Sequence, residues 1–173
     1  MINKPTDIDE KLYYAQYIHK VSGNDLIQSL NDGFMQTRDL VSSIKEEQGS
    51  FRYEEGKWTI KQVLMHIADT EHILTYRALR IARGDQKEIG GFDENAFAKM
   101  DNSHELSIEH IMKVKTAIRL ATVSIFSSFN DELLDRKGIT NGMPMTPRIL
   151  GWFLLGHQIH HNEILIDRYI SKL

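Results

Sequence analysis

Apolar residues recur along this chain at the spacing of helix turns, and four stretches carry the pattern far enough to predict long helices. In the first, Leu26, Leu30, Phe34, Val41 and Ile44 share a face; Asn24 is the expected cap and the helix should run to about residue 47. Gly33 inside it costs roughly 1 kcal/mol relative to alanine, which packing can offset. The second opens at Thr59 with Gln62 three residues on, a reciprocal capping pair preceded by Trp58, and should end near Arg83, where Gly84-Asp85 breaks the pattern. The third opens at Ser107, with Glu109 in its first turn, and should reach about residue 129. The fourth opens at Thr146 with Pro147 in the first helical position, where a missing N–H costs nothing, and should continue almost to the C-terminus. A shorter helix is expected at about 9–20.

The connections add topology. Proline occurs only at positions 5, 144 and 147, so nothing between residues 6 and 143 forbids helix by ring geometry, and no run alternates cleanly enough to predict a strand. Residues 49–56 read as a polar loop, and 130–145, with Gly138, Gly142 and Pro144, as a larger one. Residues 84–106 join the second and third long helices, with Asp93 as the expected cap of a short helix at 94–100. A connection of that length can traverse a bundle, which lets the two helices it joins run parallel. The expectation is an all-α, four-helix bundle forming a single domain over residues 1–173.

Composition narrows the function. At 173 residues and 41% apolar content the chain can build an ordinary core without disulfide or structural metal. It has no cysteine, which removes disulfides, thiolate nucleophiles and zinc–thiolate sites. The net charge of −3 offers no global field for nucleic acid. The longest apolar run, near residues 149–155, is too short for a membrane span, and the charged N-terminal stretch lacks a signal h-region. A cytoplasmic protein with no nucleic-acid or membrane partner is expected.

Histidine is the residue that changes the picture, with eight in the chain. With His157 at zero and about 100° per residue, Leu150, Phe153, Leu154, His161, Ile164 and Leu165 lie within about 80° of it. Two imidazoles one turn apart therefore stand in the middle of a core-facing stripe, a spacing that lets both bind one metal ion. On the second long helix Val63, His66, Thr70 and Ile73 share a face, with Asp69, Arg77 and Arg80 close to it. So many polar groups on an inward stripe need partners, and a metal ion would satisfy several at once. Two core histidines bonded to carbonyls or carboxylates would give the same pattern. His160 is an alternative ligand at spacing three from His157; His19, His72, His104 and His110 read as surface or packing residues. The string His157-Gln158-Ile159-His160-His161 lacks the glutamate of a zinc protease, and no G-x-S-x-G elbow, P-loop or G-x-G-x-x-G is present.

Three separated motifs carry a family likeness. Gly56-Lys57-Trp58-Thr59 through Met65-His66-Ile67-Ala68-Asp69-Thr70-Glu71 resembles the opening of the second helix in DinB/YfiT-like proteins. Tyr76-Arg77-Ala78-Leu79-Arg80 through Arg83-Gly84-Asp85, followed by Gly91-Phe92-Asp93-Glu94, is similar to one subgroup of that superfamily. Gly151-Trp152 and Gly156-His157-Gln158-Ile159-His160-His161 resemble its second metal motif, H-x-x-x-H. The resemblance implies an up-down-down-up four-helix bundle and a divalent metal, commonly zinc or nickel, on His66, His157 and His161. It also implies a metal-dependent thiol transferase, of the kind that uses bacillithiol or mycothiol, or a hydrolase.

Three neutral imidazoles leave an ion its full charge and an open position, and either a water or a thiol placed there would be activated. Asp69, Glu71 and Gln158 are the candidates for orienting the ligand imidazoles. Arg77 and Arg80 are the candidates for holding a carboxylate on a small-molecule substrate, or else pair with Asp93 and Glu94. The alternative to an enzyme is a stress-response binding protein whose metal is structural or vestigial. Apolar residues on more than one side of the second helix (Leu64, Ile67, Ala68, Ala78, Ala82) predict a homodimer.

Overall fold

The computed structural model describes residues 1–173 and is built on four long helices. A short helix α1 (Ala15–His19) precedes α2 (Leu26–Ser42); α3 (Ile60–Ala82) follows, then the crossover helix α4 (Glu94–Met100), α5 (Ile108–Ser127), a single turn α6 (Asp131–Leu134) and α7 (Pro147–Ile164). The caps at Thr59, Asp93, Ser107 and Thr146 form as the sequence predicts, each side chain accepting from a backbone N–H of the first turn.

Three boundaries differ from expectation. The cap of α2 is Asp25 rather than Asn24: its carboxylate accepts from the N–H of Ile27 and from that of Ile2, so the cap also anchors the N-terminal segment. The helix stops at Ser42 because the hydroxyls of Ser42 and Ser43 turn back onto the carbonyls of Asp39 and Leu40. The expected helix at 9–20 is realised only over Ala15–His19, after a series of turns.

The larger loop holds a hairpin, β1 (Gly138–Thr140) and β2 (Met143–Met145), which the sequence reading left as irregular chain. Asn141 and Gly142 lie at φ 50° and 73°, the left-handed pair that a two-residue hairpin turn requires. Asn-Gly was the available signal; strands of three residues are too short for alternation to register. Ile89 bonds to Ile139 and Asn141 through the backbone, tying the crossover to the hairpin.

Helix directions follow from which residues meet. Glu71 bonds Arg119 and Thr75 bonds Thr122, so moving forward on α3 moves forward on α5 and the two are parallel. Gly33 meets Gln158 and Thr37 meets Asn162, so α2 and α7 are parallel as well. His66 meets His157 while Trp58 meets Tyr169, which makes α3 and the C-terminal helix antiparallel. The order is up-down-down-up, and it compels residues 83–107 to travel the whole length of α3, about 35 Å for its 23 residues.

Two apolar clusters fill the bundle, one around Leu26, Leu74, Phe126 and Trp152, the other around Val41, Ile60, Leu64, Ile111 and Leu165. Between them every long helix turns polar inward: Gly33 and Thr37, Thr70 and Glu71, Lys115 and Arg119, His157 and Gln158. This waist carries the chemistry. Leu64, Ile67, Ala68, Ala78 and Ala82 are all buried within the one chain, so they supply no argument for a dimer. No helix is long and apolar enough to cross a membrane.

Candidate metal centre

His66 on α3 and His157 and His161 on α7 converge. Their ligating nitrogens lie within 4.8 Å of one another, with His157 Nε2 at 3.1 Å from both His66 Nε2 and His161 Nε2. The local causes are simple: spacing four stacks two rings on α7, and the antiparallel crossing brings α3 to the same level. Trp58 packs on the His66 ring at 4.8 Å between centroids, held by its carbonyl accepting from the Tyr169 hydroxyl at 2.8 Å. Tyr169 reaches that far because α7 widens into a π-turn over Leu165–Tyr169.

These residues suit a divalent ion. His157 Nε2 has one lone pair or one proton, yet two neighbouring nitrogens aim at it, so hydrogen bonding alone serves the trio poorly. A cation accepting three lone pairs satisfies all of them, and tetrahedral zinc–imidazole geometry would set the nitrogens about 3.3 Å apart. Burial keeps the rings neutral: it lowers His66 to about 4 and His161 to about 3, and lowers His157 well below its usual range, with the neighbouring imidazoles adding to the effect at His157 and His161. Protons therefore compete little for the lone pairs at neutral pH.

The other expected site residues divide. Asp69 is half-buried in a crevice beside His66, and burial, then Asp101, raises its carboxyl. Glu71 and Gln158 do not orient the histidines as expected. Glu71 is 2% exposed and accepts from Arg119 Nε at 2.6 Å, Arg119 Nη2 at 2.7 Å and Lys115 Nζ at 3.3 Å. Gln158 Oε1 accepts from Lys115 and Arg119, and its Nε2 donates to the Gly33 carbonyl. Both belong to an ion cluster that fastens α2, α3, α5 and α7; two cations that sequence reading had not singled out, Lys115 and Arg119, complete it. Arg80 pairs with Asp85 at 2.5 Å and does not line the histidine pocket. Arg77 does line it, without any acidic partner. His160 also lines it, but edge-on to Tyr17 and outside the trio.

The pocket in front of the trio has a volume of about 420 Å³, within the range of small-molecule sites. Beyond the three histidines its walls include Tyr13 and Tyr17 from the α1 region, Thr70 and Arg77 from α3, Phe92 and Glu94 from the crossover, and Asn141 from the hairpin. Sequence could not place Tyr13, Tyr17 or Asn141 there, because each arrives through a long-range contact. A larger cleft, about 630 Å³, lies beside the N-terminal segment and contains no histidine.

Comparison with known proteins agrees with this architecture. Among relatives, "Putative metal-dependent hydrolase OB0413" of Oceanobacillus iheyensis is 29% identical over 129 residues, 71% of each chain. A "Putative metal-dependent hydrolase" of Geobacillus thermodenitrificans is 25% identical over 134 residues, 75% of this chain and 74% of that one. Among solved structures, YfiT from Bacillus subtilis, described as "a probable metal-dependent hydrolase with an unusual four-helix bundle topology", superimposes with a TM-score of 0.75 over 98% of this chain and 93% of its own, at 16% identity. The family model of the DinB superfamily matches residues 30–165, which include all three histidines and every long helix but the first turn of α2, and the chain belongs to that superfamily.

Proposed function

We propose that this protein is a metal-dependent hydrolase of a small molecule, with His66, His157 and His161 holding one divalent ion, zinc or nickel. The observation that carries the reading is the convergence of three neutral imidazole nitrogens at the floor of a 420 Å³ pocket. The ion supplies Lewis acidity, which lowers the pKa of a water brought to it. The chain's own residues shape the rest. Trp58, Tyr17, Phe153 and Phe92 surround the trio with rings and limit the access of bulk water. Glu94 is the carboxylate that lines the pocket with the histidines, and it can take a proton from a group bound there. The names of the relatives support hydrolysis rather than another metal-assisted reaction.

Thiol transfer is the second reading. It rests on the same feature: three imidazoles converging on one point would activate a thiol as readily as a water. Untagged protein should contain about one equivalent of metal per chain. His66→Ala and His157→Ala should lose it while keeping the helical circular dichroism of the parent. Turnover of esters or amides by metal-loaded protein supports hydrolysis, and turnover only of a thiol with an electrophile supports transfer. Metal-free purified protein that takes up neither zinc nor nickel on titration would sink both.

A further inference from the structure

Arg77 is 6% exposed, yet it forms no ion pair. The other buried arginine, Arg119, is clamped on Glu71, and the largely covered Arg148 on Asp131 and Asp135. Arg77 has only the Gly90 carbonyl, 2.8 Å from Nη2, and the face of Phe92, 5.9 Å from Cζ to the ring centre. Its Nε is buried with no partner at all. It is also the only arginine or lysine lining the pocket of the three histidines. A guanidinium desolvated to this degree without a counter-charge is costly, and an anion delivered by a ligand removes that cost.

We infer that the substrate carries a carboxylate, bound by Arg77 at the end of the pocket remote from the histidines. The proposal rests on the reading of this pocket as the substrate site. His66, Thr70, Leu74 and Arg77 follow one another up a single face of α3 and form one wall. The 11 residues from His66 to Arg77 span about 16 Å of helix, and the long arginine side chain leans back towards the N-terminus. The acid group and the reacting group of the substrate are thus roughly 10 Å apart. A monoanion fits better than a phosphate dianion, because one guanidinium balances one charge and Glu94 already lines the same pocket. Glu94 is exposed and not within ion-pair distance of Arg77, so it does not fill the role itself.

The test uses the change in tryptophan fluorescence as the binding signal, since Trp58 packs against His66 and lines the pocket while Trp152, the other tryptophan, is buried away from it. Hexanoate and hexanamide are titrated into metal-free protein, and 6-mercaptohexanoate and 6-mercaptohexanamide into zinc-loaded protein. The acid should bind tighter than the amide by roughly tenfold or more in both forms. Arg77→Met should erase that preference by weakening acid binding far more than amide binding, while Arg77→Lys should keep part of it. Equal affinities for acid and amide, or a preference that survives Arg77→Met, would overturn the proposal. Tighter binding of hexyl phosphate than of hexanoate would overturn the choice of carboxylate. Should Arg77→Met fail to fold, the acid–amide comparison on the parent and on Arg77→Lys decides. The metal-free arm keeps this result separate from the metal reading: acid preference without zinc uptake supports Arg77 and sinks the metal centre, and the converse outcome does the reverse.

Discussion

Replacing Glu71 with glutamine is the sharpest probe of how this bundle holds its polar waist. The carboxylate is 2% exposed and is the one negative charge paired with two cations, Lys115 at 0% and Arg119 at 3% exposure. Its removal leaves those cations facing each other out of water, with Gln158 Oε1 as their shared acceptor at 3.0 and 2.6 Å. Breaking such a buried set by removing one partner costs about 3–5 kcal/mol. Burial already lowers Lys115 to about 8, and loss of Glu71 lowers it further, so the lysine can shed its proton and hold the penalty near the bottom of that range. For a chain of this size the expected fall in Tm is roughly 6–12 °C. Thermal unfolding of metal-free protein at pH 7.5, followed by circular dichroism, measures it, alongside zinc titration of parent and variant. Lys115→Met should cost much less, because it leaves Glu71 and Arg119 as a balanced, two-bond pair. If Glu71 instead oriented a histidine, the variant would unfold like the parent and lose zinc affinity about 10–100-fold. That pattern would refute the assignment of Glu71 to the ion cluster.

Three further outcomes are expected. Metal-free protein should lose stability as pH falls from 6.5 towards 4: His66 and His161 sit at about 4 and about 3 in the fold against 6.5 unfolded, so the unfolded chain binds more protons in that window. The slope is at most about 1.4 kcal/mol per pH unit for each histidine, and a Tm flat from pH 7 to 4.5 would contradict it. Gly156→Ala should destabilise by about 1–3 kcal/mol, since the added methyl would overlap the backbone carbonyl of Tyr17; unchanged urea unfolding would show that α1 does not pack against α7 at Gly156. Tyr169→Phe should cost about 1 kcal/mol through the orphaned Trp58 carbonyl and change Trp58 emission, and a variant with the parent's spectrum would disconnect the π-turn from the histidine site.

Much of this architecture was legible beforehand, for reasons that particular residues make plain. The long helices announced themselves through apolar periodicity and short-range caps, and Thr59 with Gln62 or Thr146 with Pro147 needs nothing beyond a few neighbouring residues. The histidine trio was legible because His157 and His161 share a helix face and the family motif supplied His66. What failed was partner choice. Glu71 lies near His66 in sequence, but its position on the helix turns it towards α5, and only the parallel packing of α3 with α5 brings Lys115 and Arg119 to it. Arg77 and Arg80 looked equivalent in the sequence; a single turn of helix sends one into the pocket and the other to Asp85. The hairpin was missed because three-residue strands carry no period, although its turn residues were in view.

The up-down-down-up order has a consequence for how such a protein can diversify. Because two neighbouring helices point the same way, their linker has to be a long strap, and here it passes over the mouth of the pocket with Gly91, Phe92 and Glu94 before reaching α5. The three histidines belong to long helices, whereas this wall belongs to a connection that topology requires and that is largely exposed over residues 90–97. Chemistry and selectivity are thereby inherited on separate parts of the polypeptide, so exchanging the strap alone should retune which molecules enter without disturbing the imidazoles beneath.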